Sequence, residues 1–143
     1  MRVTSPAFAY GRRIPARHTA DGEEVSPPLD IRDLPEGTIS LALLLEDPDA
    51  PGGTWVHWLL FDLPPLDRIP EGVTGLGTAG VNSWRRIGYG GPCPPSGIHR
   101  YLFRVFALDD TLRIPERSRP GEVVAAMRGH LLAEAVLMGR YGR

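Results

Sequence analysis

The stretch LEDPDAPGGTWVHWLLF, residues Leu45–Phe61, joins two apolar runs through a short loop of aspartate, proline and glycine. The first run, Thr38–Asp47, is apolar through its centre and is bounded by turn-forming residues, which is typical of a buried strand. The second run, Thr54–Pro64, carries three aromatic residues, which favour a strand. The stretch therefore predicts two β-strands, with Asp47 closing the first and His57 near the start of the second.

Side chains alternate between the two faces of a strand, so a period of two sorts the residues of each run. A third run, His99–Asp109, has His99 and Tyr101 on one face, which continues through Phe103 and Val105. In the second run, the same rule groups four residues on one face, namely Trp55, His57, Leu59 and Phe61.

The rest of the chain predicts one helix and many loops. Residues Arg119–Gly142 have apolar positions at helical spacing, so we expect a C-terminal helix with Gly142 as its stop. The proline-rich N-terminal third predicts loops with short edge strands at most. Residues 63–91, rich in glycine and proline, predict a long functional or mobile loop. The apolar stripe of the expected helix consists of Val124, Met127, Leu131, Ala135 and Met138.

Composition excludes several classes of protein. A length of 143 residues, 42% hydrophobic content and a net charge of −1 predict a single globular domain, residues 1–143. All sixteen basic residues are arginine, which excludes lysine Schiff-base chemistry, and no basic stripe indicates nucleic acid. A single cysteine, Cys93, excludes an internal disulfide. No apolar run is long enough to form a transmembrane segment, and the N-terminus lacks a signal-peptide core, so we expect a cytoplasmic protein.

The polar residues leave several alternatives open. Asp47 is an ordinary turn residue or part of a site, and His57 is as consistent with a structural role as with a functional one. His99 follows the Gly–Pro loop YGGPCPPSGI, whose backbone N–H groups could bind an anion. A metal site, a carboxylate pair and a Cys–His pair are each weaker interpretations. His18 is expected at the surface, and His130 as a packing or capping residue on the C-terminal helix.

Three motifs, in this order, carry a resemblance: DPDAP at 47–51, WVHW at 55–58 and GYGGPCPPSGIHRYLFRVFALD at 88–109. Together with SPAF near the start and MRGHLLAEAVLMGRYGR at the end, they resemble the phosphatidylethanolamine-binding protein family. The chain is most similar to the family's bacterial Raf-kinase-inhibitor-like branch. Several ordered motifs that together span most of the chain are far more specific than any one of them.

The resemblance implies a mostly-β fold with a central antiparallel sheet, a second smaller sheet and a C-terminal helix. It also implies a small pocket that binds phosphate, sulfate, acetate or a phospho-headgroup. We expect no metal and no cofactor. Arg100 would be structural or a partner for an acid. Eukaryotic members place a C-terminal tyrosine near the pocket, and this chain offers only Tyr141 as a substitute for it. The family's pocket carries over onto Asp47, Pro51, His57, Gly91, Pro92, Cys93, His99 and Tyr101.

Residues and resemblance together predict a small-anion or phospho-headgroup binding protein rather than an enzyme. His57 and His99 would donate to the anion when protonated, Asp47 would accept from one imidazole, and Tyr101 would add a hydroxyl donor. The N–H groups around Gly90 and Gly91 would supply further donors. A hydrolase or isomerase using Asp47, His57 and His99 is the alternative, and a regulator that contacts a protein partner is a third. The resemblance allows a homodimer, although no exposed apolar stripe requires one.

Overall fold

The computed structural model describes residues 1–143 and contains two antiparallel β-sheets and one α-helix. A short 3₁₀-helix, Ala16–His18, lies in the N-terminal loop region, and the α-helix, α1, covers Pro120–Met127. The strands are β1 (Arg2–Thr4), β2 (Leu29–Arg32), β3 (Ser40–Asp47), β4 (Trp55–Leu63), β5 (Arg68–Ile69), β6 (Thr78–Ala79), β7 (Ile98–Leu108) and β8 (Leu131–Gly142). The predicted mostly-β fold, with two sheets and a C-terminal helix, is confirmed.

The five-stranded sheet has the order β6-β4-β3-β7-β8, and the three-stranded sheet has the order β1-β2-β5. The three predicted strands are therefore the three central strands of the large sheet. Proline-rich segments contribute only the short strands, because proline lacks the N–H that a central ladder needs.

Apolar side chains on the two faces of the large sheet form two separate clusters. Tyr101, Phe103 and Val105 of β7 belong to the larger cluster, together with residues from the small sheet. Phe106, on the other face of β7, belongs to the smaller cluster with Met127 of α1. The alternation predicted for β7 is confirmed, and it places the start of this strand at the edge of the main core.

The predicted helix over 119–142 is wrong beyond Met127. Gly129, with φ of +80°, follows the helix, and residues 131–142 form β8, which pairs with β7 along its whole length. The stripe at helical spacing also contains alternating positions, and Leu137 and Tyr141 point into the core. Without β8 the N–H and C=O groups on one edge of β7 would have no ladder partners, so tertiary pairing overrides the local pattern.

Two histidines lie elsewhere than predicted. His18 is buried, not exposed at the surface, and its Nδ1 is 2.9 Å from the carbonyl oxygen of Val25. His130 lies in the turn between α1 and β8, where its Nδ1 is 2.8 Å from the Asp109 carboxylate. No helix in the structure has the length and apolar character that crossing a bilayer requires.

Candidate functional site

A cavity of about 640 Å³ opens where β3 ends and β7 begins, beside the first half of β4. Asp47 reaches it from β3, His57 from β4 and His99 from β7. Pro51 and Cys93 contribute from the loops that follow β3 and precede β7. These five of the eight predicted site residues therefore share one wall, although they are widely separated in sequence.

Asp47 and His99 form a buried pair at the centre of the cavity wall. Nδ1 of His99 is 2.6 Å from Oδ2 of Asp47, and the two residues are 7% and 3% exposed. The other carboxylate oxygen accepts from the backbone N–H of Asp49 at 2.8 Å. Because a carboxylate only accepts, Nδ1 of His99 carries the proton and Nε2 is left for a ligand.

His57 is anchored in a comparable way by a backbone carbonyl. The β3–β4 register jumps past His57 between the pairs Leu45↔Trp58 and Glu46↔Val56, which makes it the extra residue of a β-bulge. Its Nδ1 donates to the carbonyl of Gly90 at 2.8 Å. Bulges redirect side chains near functional sites.

The bulge also breaks the face predicted for the second strand. Trp55 and His57 line the cavity, whereas Leu59 and Phe61 pack in the cluster beneath α1. A strict period of two does not survive an extra residue.

Burial lowers the pKa of His57 below its usual 6.5, although the carbonyl of Gly90 and the Asp47 carboxylate act in the opposite direction. The neutral ring is therefore favoured in the free protein. With its proton on Nδ1, neutral His57 offers Nε2 as an acceptor, and only the protonated ring offers it as a donor.

Tyr101 lies behind the wall, between the two histidines. Its ring centroid is 5.4 Å from that of His57 and 6.5 Å from that of His99. The hydroxyl is fully buried beside the Asp47 carboxylate and the Cys93 backbone, and neither neighbour meets the distance and angle of a hydrogen bond to it. Burial raises the pKa of Tyr101, so its O–H remains protonated. A buried donor without a partner is costly in a native structure and calls for an explanation.

The predicted Gly–Pro loop contributes to the site differently from the expectation. The N–H of Gly90 donates to the carbonyl of His57 at 3.0 Å, and that of Gly91 faces a Glu24 carboxylate oxygen at 3.4 Å. The carbonyl of Pro92 accepts from Ala20. The prediction that Gly90 and Gly91 donate into the pocket is therefore wrong, because their N–H groups are engaged within the protein. Gly91 and Pro92 do not line the cavity.

Asp49 and Arg100 clamp the loop after β3 to the start of β7. Both carboxylate oxygens bind the guanidinium, at 2.8 and 2.9 Å, and the backbone N–H of Arg100 also donates to Asp49. The side-chain hydrogen bond from Arg100 is the main cause that lowers the pKa of Asp49 to about 2. Arg100 is thus the partner of an acid, as the resemblance implied. Because His99 directly precedes Arg100 in β7, the clamp also holds His99 next to the loop that carries Pro51.

Sequence reasoning missed Trp84, which covers one side of His57. The two rings meet edge to face, with centroids 4.8 Å apart. Asn82 builds this turn, because its side-chain oxygen accepts from the N–H groups of Trp84 and Arg86. An asparagine two residues before the tryptophan is the signal for such a turn. Tyr141 lies outside the site, where its hydroxyl donates to Asp21 at 2.6 Å.

Comparison with known proteins places this arrangement in a family. A family model described as phosphatidylethanolamine-binding protein matches residues 4–142. A UPF0098 protein from Methanothermobacter thermautotrophicus is 43% identical over 154 aligned residues, covering 100% of this chain and 99% of that protein. A UPF0098 protein from Chlamydia muridarum is 43% identical, covering 99% of this chain and 98% of the relative.

Two solved structures are also similar over nearly the whole chain. CT736 from Chlamydia trachomatis, described as a phosphatidylethanolamine-binding protein homolog, has a TM-score of 0.96 at 40% identity, covering 99% of this chain and 97% of its own. YbcL from E. coli has a TM-score of 0.89 at 30% identity, covering 99% and 98%. The chain belongs to the phosphatidylethanolamine-binding protein family.

Proposed function

We propose that this member of the family binds small anions, namely phosphate and phosphoryl headgroups, in the cavity lined by Asp47, His57 and His99. One observation supports this most strongly. Both imidazoles are anchored through Nδ1, one by a buried carboxylate and one by a backbone carbonyl, so that each keeps Nε2 for a ligand. A phosphate oxygen is the acceptor that two protonated rings would share.

The Asp47 carboxylate has a positioning role in this proposal. A carboxylate beside an anion is repulsive unless it has another role, and here its bond to Nδ1 of His99 fixes the tautomer and leaves Nε2 for the ligand. The Tyr101 hydroxyl has no partner within the protein, but it lies behind the residues that line the cavity, so its predicted contact with an anion stays a prediction. Because Nε2 donates only when the ring is protonated, anion binding in this cavity is coupled to the uptake of protons.

The sign of the pH dependence follows from the histidines. An anion stabilises the protonated imidazole and so raises its pKa, and the pKa of His57 is low in the free protein because of burial. Affinity should therefore be highest at acidic pH and should fall as pH rises through the raised pKa. The measurement is a titration with inorganic phosphate at several pH values between about 5.5 and 8.5, following the ring signals of His57 and His99 by NMR.

His130 is the internal control, because it forms a solvent-exposed pair with Asp109 and does not line the cavity. Its ring signals should stay unchanged by phosphate while those of His57 and His99 shift. Equal affinity at all pH values, with both cavity histidines unmoved, contradicts the proposed function.

A hydrolase or isomerase remains the second candidate, and the Asp47–His99 pair is the observation in its favour. A carboxylate that orients an imidazole is the arrangement of a general base. Turnover of p-nitrophenyl phosphate or p-nitrophenyl acetate that disappears in Asp47→Asn would establish this alternative over pure binding. The homodimer, the cytoplasmic location and a regulatory protein partner stay predictions, the first to be checked by sedimentation.

A further inference from the structure

We call the cavity of Asp47, His57 and His99 the anion cavity, after its proposed ligand. A second cavity, of about 560 Å³, is lined by Trp58, the residue that follows His57 in β4. Its floor is apolar, since Trp58 and Leu60 of the main core line it. Leu76 and Ile87 extend the apolar lining toward the surface, and Ile87 is well exposed. This volume lies within the range of sites that hold small organic molecules.

The charged groups around this second cavity are all acidic. Three glutamates line it, and no arginine or histidine does. Glu23 is paired with Arg17 at 2.6 Å, whereas Glu24 and Glu116 form no ion pair. Two carboxylates without a cation partner beside an apolar floor favour a positively charged ligand and disfavour an anion.

Ser26 is the polar group inside the cavity. It is only 3% exposed and lines the cavity, and its hydroxyl makes no hydrogen bond within the protein. The other hydroxyl of the lining, that of Tyr89, donates to the carbonyl of His18 at 2.6 Å. A nearly buried hydroxyl with open space in front of it is a hydrogen-bonding group that a ligand would satisfy.

We propose that the second cavity binds an organic cation, specifically a primary ammonium attached to an apolar body. The ammonium lies between Glu24 and Glu116 and donates to the Ser26 hydroxyl. The apolar body packs on Trp58 and Leu60, where Trp58 and Tyr89 already meet edge to face at 5.2 Å. The proposal does not rest on the proposed function of the anion cavity, although Glu24 also accepts from Gly91 in the loop that anchors His57.

Three probes of similar shape and different charge test the proposal: 2-phenylethylammonium, neutral 2-phenylethanol and anionic 3-phenylpropionate. Binding is followed through the backbone amide signals of Gly72, Gly75 and Gly77, which line the cavity. We expect 2-phenylethylammonium to shift these signals and to bind at least about fivefold more tightly than the alcohol, with the anion weakest. Equal binding of ammonium and alcohol, or no shift with any probe, overturns the proposal.

Variants assign the charge to its source. Glu24→Gln with Glu116→Gln should weaken 2-phenylethylammonium about tenfold and leave 2-phenylethanol unchanged. Glu36→Gln, an exposed carboxylate in the turn before β3, is the matched control and should change neither. Ser26→Ala should weaken the ammonium about threefold. If the double glutamine variant binds 2-phenylethylammonium as tightly as the unmodified protein, the proposed site is refuted. The anion cavity is tested separately, by the changes that phosphate causes in the ring signals of His57 and His99.

Discussion

The two cavities of this protein are lined by neighbouring residues of one strand, and they differ in almost every other respect. His57 of β4 lines the anion cavity and Trp58 lines the second cavity. The polar atoms of the first are buried, and strands or hydrogen-bonded turns hold them in place. The second combines an apolar floor from the core with carboxylates on exposed loops.

This difference determines how each cavity discriminates between ligands. Under the proposed function, discrimination in the cavity of His57 and His99 depends on where protons lie, because each Nε2 changes from acceptor to donor when its ring is protonated. In the second cavity, under the proposal made for it, discrimination depends on the sign of the ligand's charge and on the apolar area that the ligand buries. Apart from changes at Glu24, which also accepts from the loop beside His57, mutations should therefore affect one cavity at a time. The following predictions are ordered by expected size.

The largest effect is expected for Trp58→Ala, since Trp58 is part of the main core as well as the floor of the second cavity. Removal of this side chain should lower the free energy of unfolding by about 3–5 kcal/mol, measured by urea denaturation. Trp84→Ala is the control, because Trp84 covers the anion cavity from an exposed turn and should cost about 1 kcal/mol. An equal decrease in the free energy of unfolding in both variants would contradict the view that only the second cavity is built on the main core.

Asp47→Asn should lower phosphate affinity about tenfold at pH 6, because the neutral amide can accept from His99 or donate to it and so no longer fixes the proton on Nδ1. Calorimetric titration with phosphate measures the change. Asp109→Asn, which alters the exposed pair with His130, is the matched control and should have no effect. Binding of 2-phenylethylammonium should also be unaffected, and a parallel loss of both ligands would indicate a general loss of structure.

Tyr101→Phe should reduce phosphate affinity about fivefold while leaving stability unchanged or raised by up to about 1 kcal/mol. The buried hydroxyl has no partner in the free protein, so its removal costs nothing there and relieves a desolvated donor. Thermal unfolding and phosphate titration of the same preparation test both parts. A marked fall in stability would indicate a partner for the hydroxyl and would weaken its assignment to the ligand.

The smallest effect is a dependence of stability on pH through His57. Burial holds its pKa below 6.5 in the folded chain, so the unfolded chain takes up the proton more readily. Stability should therefore be at its full value above pH 6.5, fall as pH drops below it, and level off below the folded pKa. Melting temperatures between pH 7.5 and about 5 measure this, and phosphate should reduce the fall.

His57→Asn is the variant that tests the assignment, since asparagine keeps a donor for Gly90 but does not titrate. Its pH profile should lack the contribution below pH 6.5. The slope should be retained in His130→Asn, whose ring is more exposed and lies outside the cavity.

The sequence predicted those features of the fold that depend on local pattern. The runs around β3, β4 and β7 are apolar enough to be central strands wherever they are placed, and the resemblance placed Asp47, His57 and His99 in one pocket. The prediction of a helix over 119–142 was wrong because residues 131–142 pair with the edge of β7. Such pairing joins segments distant in sequence, and local periodicity carries no information about it.

The details of the site failed for a similar reason. The N–H groups of Gly90 and Gly91 looked available, but His57 and Glu24, both distant in sequence, accept from them. The bulge at His57 is visible only once β3 and β4 are paired. Trp84 reached the cavity through a turn built by Asn82, in a segment whose sequence indicated only a loop.

The placement of His57 and His99 on central strands also affects how often the backbone around the cavity opens. His57 and His99 lie on strands that pair with the centre of the large sheet, whereas Gly52 and Gly53 at the rim are exposed. In hydrogen exchange, the amides of Tyr101 and Phe103 should therefore open only with global unfolding, and those of the rim should open locally and far more often. Ligands can therefore enter and leave many times during the lifetime of one folded molecule. Over the same time, the strands that carry His57 and His99 stay paired.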